Sequence, residues 1–211
     1  MTFEKFNKSI VFSLINKEKH QELLSNVPHK DYLDMAVIFY AYFTEVKIDD
    51  GNASMLVDNQ LMEKWGIDVD TLMEHALENT PRLLGLKIRG IFSTIASYMD
   101  DEALTEIAEQ EDKYTPLYVA TNNIATYGAG VVLYKDMLKA FAARKKSDLY
   151  IIPCSIHELI LVASSECEGL DVKALKNLIE DVNRFDLPKD EILSDSLYFY
   201  SREENTVKLI A

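Results

Sequence analysis

Cys154-Ser155-Ile156-His157-Glu158 is the short stretch whose side chains best suit acid–base or nucleophilic chemistry. An imidazole can take the proton of a thiol or hydroxyl, and a carboxylate can orient the imidazole. The order of the residues argues against a complete set. On an extended strand adjacent side chains point to opposite faces, so Glu158 is badly placed to support His157, which shares its face with Leu159 and Leu161. A capping or core role for His157 is therefore the first expectation, with His157 and Cys154 as weak catalytic candidates.

Metal and nucleotide motifs fail residue by residue. His157-Glu158 begins like a zinc-protease helix, but Leu161 stands where the second histidine would be needed. Cys154 and His157 have ligand-like spacing, yet Cys167, His75 and His29 supply no complementary pair for a four-ligand site. Gly128-Ala129-Gly130 opens like a dinucleotide loop, but Leu133 occupies the third glycine position and a strand is expected to follow. No phosphate-binding Gly-Lys-Ser/Thr loop and no Gly-x-Ser-x-Gly elbow occurs. The expectation is no metal and no cofactor.

A second candidate set is polar rather than nucleophilic. Asn122, Asn123 and Tyr127 fall in a loop after one strand, and Ser155 and His157 fall at another strand junction. Converging at one sheet edge, they would bind a small polar ligand or a partner's backbone. Asparagine also sits in loops because it tolerates left-handed backbone angles, which is the plainer reading.

The elements that must position these residues lie mainly between Pro116 and Ala163, where β-branched and aromatic residues concentrate. The pattern predicts strands at 117–121, 130–134, 148–152 and 157–163, with a helix from about Asp136 to Arg144. Upstream, residues 3–15 read equally as helix or strand, and Asn16 reads as the N-cap of a short helix that Pro28 stops. Residues 33–43 alternate with both faces apolar, which predicts a central strand. Asp49-Asp50-Gly51-Asn52 predicts a hairpin with 53–57 as the returning strand. Helices are expected after Asp58, ending at Gly66, and after Asp68, up to Pro81. Residues 82–98 read as a helix broken near Gly85 and Gly90 or as irregular structure, and 100–112 as a solvated acidic helix or loop. A helix from Gly169 to before Pro188 and a last hairpin, 197–201 with 206–210, complete the chain. The mixed order predicts an α+β fold with a mostly antiparallel sheet built from hairpins and helices packed against it. A single domain, 1–211, is expected, with sub-lobes 1–113 and 114–211.

The chain has 35 acidic against 22 basic residues, a formal net charge of −13, which repels phosphate backbones and anionic headgroups. Direct nucleic-acid binding and membrane association are therefore not expected. With no run of about 18 apolar residues and no charged-then-apolar leader, a cytoplasmic location is expected. In that compartment Cys154 and Cys167 are expected to be free thiols rather than a disulfide.

Ser13-Leu-Ile-Asn16, Val27-Pro-His-Lys-Asp-Tyr-Leu-Asp-Met-Ala36, Trp65-Gly66-Ile67, Leu117-Tyr-Val-Ala-Thr-Asn122, Pro153-Cys-Ser-Ile-His-Glu158 and Leu193-Ser-Asp195 together resemble an uncharacterised bacterial family of gut anaerobes, a domain of unknown function. The likeness covers nearly the whole chain. It implies a bacterial cytosolic protein whose relatives carry a further N-terminal segment and serine at the place of Cys154. It transfers no activity. The expectation is a non-enzymatic protein-interaction module with an acidic surface, an inhibitor or decoy of a nucleic-acid-binding partner. The alternative is a small-ligand-binding protein or a hydrolase-type enzyme using the Cys154/His157 region.

Overall fold

Two antiparallel sheets and the helices beside them make an α+β fold in the computed structural model, which describes residues 2–48, 51–99, 102–153, 155–166, 172–185 and 187–211. The chain forms two compact units. The first comprises residues 1–85 with 133–135, and the second 86–132 with 136–211.

The first unit is organised by one long strand. β1 (Ile10–Asn16) is followed by a single helical turn, α1 (Gln21–Leu24), and by β2 (His29–Tyr32), β3 (Met35–Ile48) and β4 (Gly51–Leu56). β1 pairs along one edge of β3, while β2 and β4 take successive stretches of the other. β3 is central, and Met35, Ala36, Val37, Ile38 and Phe39 are all buried, which is why its apolar residues occupy both faces. The hairpin to β4 forms, with a register shift between Phe43 and Lys47; Asp49 and Asp50, read as its turn, lie outside the described residues.

The ambiguous N-terminus resolves into a 3-10 turn over Phe3–Lys5 and then strand β1. Asn16 is not a helix cap. It ends β1 opposite Met35, and its Oδ1 accepts the Lys19 N–H at 2.8 Å to turn the chain. α2 (Asn59–Trp65) and α3 (Val69–Leu84) start as their sequences require. Asp58 accepts from Leu61 N and Asp68 from Thr71 N, and Gly66 ends α2 at φ 67° in the left-handed region that favours glycine. α3 runs past Pro81 to Leu84 and is tied to β1 by Thr80, whose hydroxyl accepts the Phe12 N–H and donates to Ala76 O.

The second unit holds β5 (Lys87–Gly90), α4 (Ile91–Ala96), α5 (Glu102–Glu111), β6 (Leu117–Thr121), α6 (Met137–Lys145), β7 (Leu149–Ile152), β8 (Leu159–Ala163), α7 (Val172–Phe185), β9 (Tyr198–Ser201) and β10 (Thr206–Leu209). The strands run β10-β9-β7-β8-β6-β5, each antiparallel to its neighbour. Ile152, Val162 and Leu197 meet Leu175 and Ile179 of α7 in one buried cluster. The apolar spacing of α7 on its solvent-facing Lys and Glu background is what directs it there.

Two expectations fail in this unit. Residues 130–134 are not a strand: Gly128–Leu133 forms a buried 3-10 helix. Both edges of β6 are already taken, by β5 and β8, so no ladder is open there. Residues 87–90, read as part of a broken helix or as irregular structure, form edge strand β5, and 91–96 are helical. Asp112 fixes that junction by accepting from Phe92 N and Ser93 N at the start of α4.

Candidate functional site

β6 ends where β8 begins, because the antiparallel register sets Ala120 opposite Leu159. The polar residues beyond each strand end are thus brought together, and Asn122, Tyr127, Ser155 and His157 do converge. The Thr121 hydroxyl donates to the His157 carbonyl at 2.7 Å. Gly128 passes so close that a Cβ there would sit 2.0 Å from Thr121 Oγ1 and 2.5 Å from the His157 carbonyl oxygen.

Each polar group is largely occupied by another. Asn122, 1% exposed, closes its own loop: its Oδ1 accepts from Ile124 N and its Nδ2 donates to Thr126 O at 2.8 Å. That clasp holds Ala125 and Tyr127 at φ 50° and 52°, a left-handed conformation costly for residues with a Cβ. Tyr127 N–H donates to His157 Nδ1 at 3.1 Å, and the two rings lie 5.7 Å apart, tilted. Ser155 Oγ accepts the His157 main-chain N–H at 3.0 Å, so serine and histidine meet through the backbone rather than the imidazole. Asn123 stands exposed beside the cluster. Cys154 lies outside the described residues, as does Cys167.

The remaining ring nitrogen, His157 Nε2, faces Glu191 Oε1 at 3.8 Å, and the Glu191 carbonyl accepts from Ile156 N. Glu191 arrives from the segment after α7, a partner that local spacing could not reveal. His157 and Glu158 precede β8, which begins at Leu159 rather than at the expected residue 157, so strand alternation does not set their directions. Burial pushes the Glu158 carboxyl above the ordinary range, and the nearby His157 offsets this in part. The cluster can thus lock two loops against a sheet edge and offer one imidazole N–H beside a carboxylate. Among the described residues, no group of three or more His, Cys, Asp or Glu is placed to hold a metal ion.

A second polar site escaped the sequence reading. A cleft of about 270 Å³ lies between the end of α6 and β6, bordered by Lys113, Tyr114, Pro116, Tyr118, Lys145 and Glu166. Lys145 Nζ donates to the Tyr118 hydroxyl, lies 4.0 Å from the centre of that ring, and reaches Glu166 Oε1 at 3.5 Å. Lys145 reads in sequence only as a favourable charge at a helix C-terminus. The available signal was Tyr118, a polar-tipped aromatic between the apolar residues Leu117 and Val119.

An antiparallel α+β fold with its polar residues gathered at strand ends defines a class of domain rather than a reaction. The chain belongs to a family of unknown function, DUF5688, whose model matches residues 1–202. No curated protein and no solved structure matches it. No helix among the described residues is long and apolar enough to cross a membrane.

Proposed function

We propose that this protein is a non-enzymatic interaction module that docks a basic, partly apolar segment of another protein on the surface formed by α4 and α5. The observation that carries this reading is the distribution of exposed apolar side chains. Of fifteen large apolar or aromatic residues that stand exposed among those described, eight lie between Leu86 and Tyr114. They include Ile95, Tyr98, Met99 and Ile107, each about half exposed or more. α5 should bury its apolar stripe if α4 were its whole partner, yet Leu104 and Ile107 remain exposed and Ala108 is buried. Apolar groups clustered in this way mark contact surfaces.

Carboxylates give the partner its sign. Glu106, Glu109 and Glu111 are exposed on the same helix, in a chain of net charge −13. Glu106 and Glu109, three apart, are neighbours on the helix surface at about 5 to 6 Å, a pair that suits a lysine- or arginine-rich segment. An inhibitor or decoy that occupies the basic groove of a nucleic-acid-binding protein is the specific form of this reading. The Asn122 side chain is bonded to Ile124 and Thr126, and Ser155 to the His157 main chain rather than its imidazole, which weighs against the small-ligand or hydrolase alternative in that region.

The test is retention on an immobilised basic nuclease. Retention that falls steeply with salt, weakens in Glu106→Gln/Glu109→Gln and is lost in Ile107→Asp supports the reading. Retention indifferent to salt and to those substitutions, or none at all, sinks the decoy.

A further inference from the structure

We propose that the cleft between α6 and β6 binds a small oxyanion, a carboxylate- or phosphate-bearing molecule, through Lys145, Tyr118 and Lys113. The proposal is independent of the α4–α5 surface. Among the described residues that line this cleft are two ammonium groups and one carboxylate, against an excess of acid over base in the chain as a whole.

The Lys145 side chain is 18% exposed, and it borders the cleft. A partly buried ammonium is stabilised by close anionic or hydrogen-bonding partners that replace the hydration it gives up. Among the described residues, its partners are a phenol oxygen, the face of the same ring, and a carboxylate at 3.5 Å, the outer limit of a hydrogen bond. Glu166, 39% exposed, is thus a distant and displaceable counterion.

Tyr118 adds a second donor. Its oxygen accepts from Lys145, which leaves the phenolic hydrogen to donate. Lys145 and Tyr118 are held apart from ordinary surface mobility: the Tyr118 ring packs edge-on against Phe141 at 5.3 Å. Ser147, 4% exposed, clasps the loop that carries Glu166, accepting from Ser165 N and lying 3.2 Å from Ser164 Oγ. Lys113, exposed and bonded to Gln110 at 2.9 Å, can swing to a ligand's outer oxygen. The volume, just under the roughly 300 Å³ at which ligand clefts begin, limits the occupant to a small molecule. The anion would take an ammonium N–H and the phenol O–H while Glu166 turns to solvent.

The experiment titrates the full chain by calorimetry with inorganic phosphate and, separately, with benzoate, at constant ionic strength in chloride. Saturable binding of at least one is expected, and which one distinguishes a phosphate from a carboxylate ligand. Glu166→Gln, which removes the competing carboxylate, should tighten that binding several-fold. Lys145→Gln should weaken it at least tenfold, and Tyr118→Phe and Lys113→Gln each by a smaller factor. The last two carry the test if Lys145→Gln does not fold. No saturable binding of either anion to the wild type and to Glu166→Gln, or affinity unaltered by the lysine and tyrosine substitutions, would overturn the proposal.

Discussion

The main-chain N–H of Tyr127 donates to Nδ1 of His157, which makes Nδ1 the acceptor and puts the proton of the neutral imidazole on Nε2. The ring is thereby a structural strut across two loops, with only its Nε2 edge, near Glu191, left to other use. His157→Ala should cost about 1 kcal/mol, the net worth of one such bond, and lower the melting temperature by roughly 2–4 °C. Thermal melts check the size, and the Tyr127 amide resonance should shift. A variant with unaltered stability and an unmoved Tyr127 amide would show that the strut is not formed.

Gly128 faces a harder constraint than conformation. Any Cβ there meets Thr121 Oγ1, the His157 carbonyl and Asn122 N at 2.0, 2.5 and 2.8 Å, and the last two are backbone atoms that cannot rotate away. Gly128→Ala should therefore cost about 3 kcal/mol, at the upper end of overpacking effects. Urea denaturation measures it, and a loss below about 1 kcal/mol would contradict the close approach.

Gly90 and Asp112 form a coupled pair. A Cβ on residue 90 would lie 2.0 Å from the Asp112 carboxyl carbon, the group that caps α4. Gly90→Ala alone should destabilise by expelling the cap, and Asp112→Ala alone by about 1 kcal/mol through losing it. In the double variant the clash is gone, and Gly90 has φ −60° and ψ 155°, which alanine adopts freely. The second substitution should then be neutral or slightly stabilising. A double-mutant cycle with additive costs would disprove the coupling.

Glu158 supplies a pH dependence. Its folded-state pKa is raised by burial above the ordinary value near 4.5, so the folded protein holds this proton more tightly than the unfolded chain. The corresponding stability is present below about pH 4.5 and is lost as pH rises through the folded value. Glu158→Gln, neutral throughout, should gain stability over wild type at pH 7 and little at pH 4. Denaturation at the two pH values checks this; an equal gain at both would assign the effect to packing.

Much of the fold was legible because local chemistry and tertiary structure agree. Asp58, Asp68 and Gly66 cap helices by hydrogen bonds to their own neighbours, and the double-sided apolar pattern of β3 marks a central strand wherever it lies. What could not be read depended on partners distant in sequence. Gly85 and Gly90 looked like breaks in a helix, because nothing local shows that Lys87–Gly90 finds the free edge of β6. Val131-Val132-Leu133 has strand composition, but both edges of the preceding strand, β6, are taken by β5 and β8. The meeting of Asn122 and Tyr127 with Ser155 and His157 followed from two strand ends. The use of the Asn122 side chain within its own loop did not, since it hangs on Asn122 folding back on Ile124 and Thr126.

Three residues from the middle of the chain complete the first unit: Leu133–Lys135 belong to it, and the Tyr134 ring stands edge-on to Phe12 at 6.1 Å. A coding fragment stopped after Gly85 would therefore omit part of the interior it was meant to express, leaving Phe12 uncovered on that side. The smallest contiguous stretch of gene that encodes this unit whole runs past codon 135, and with it comes a portion of the second.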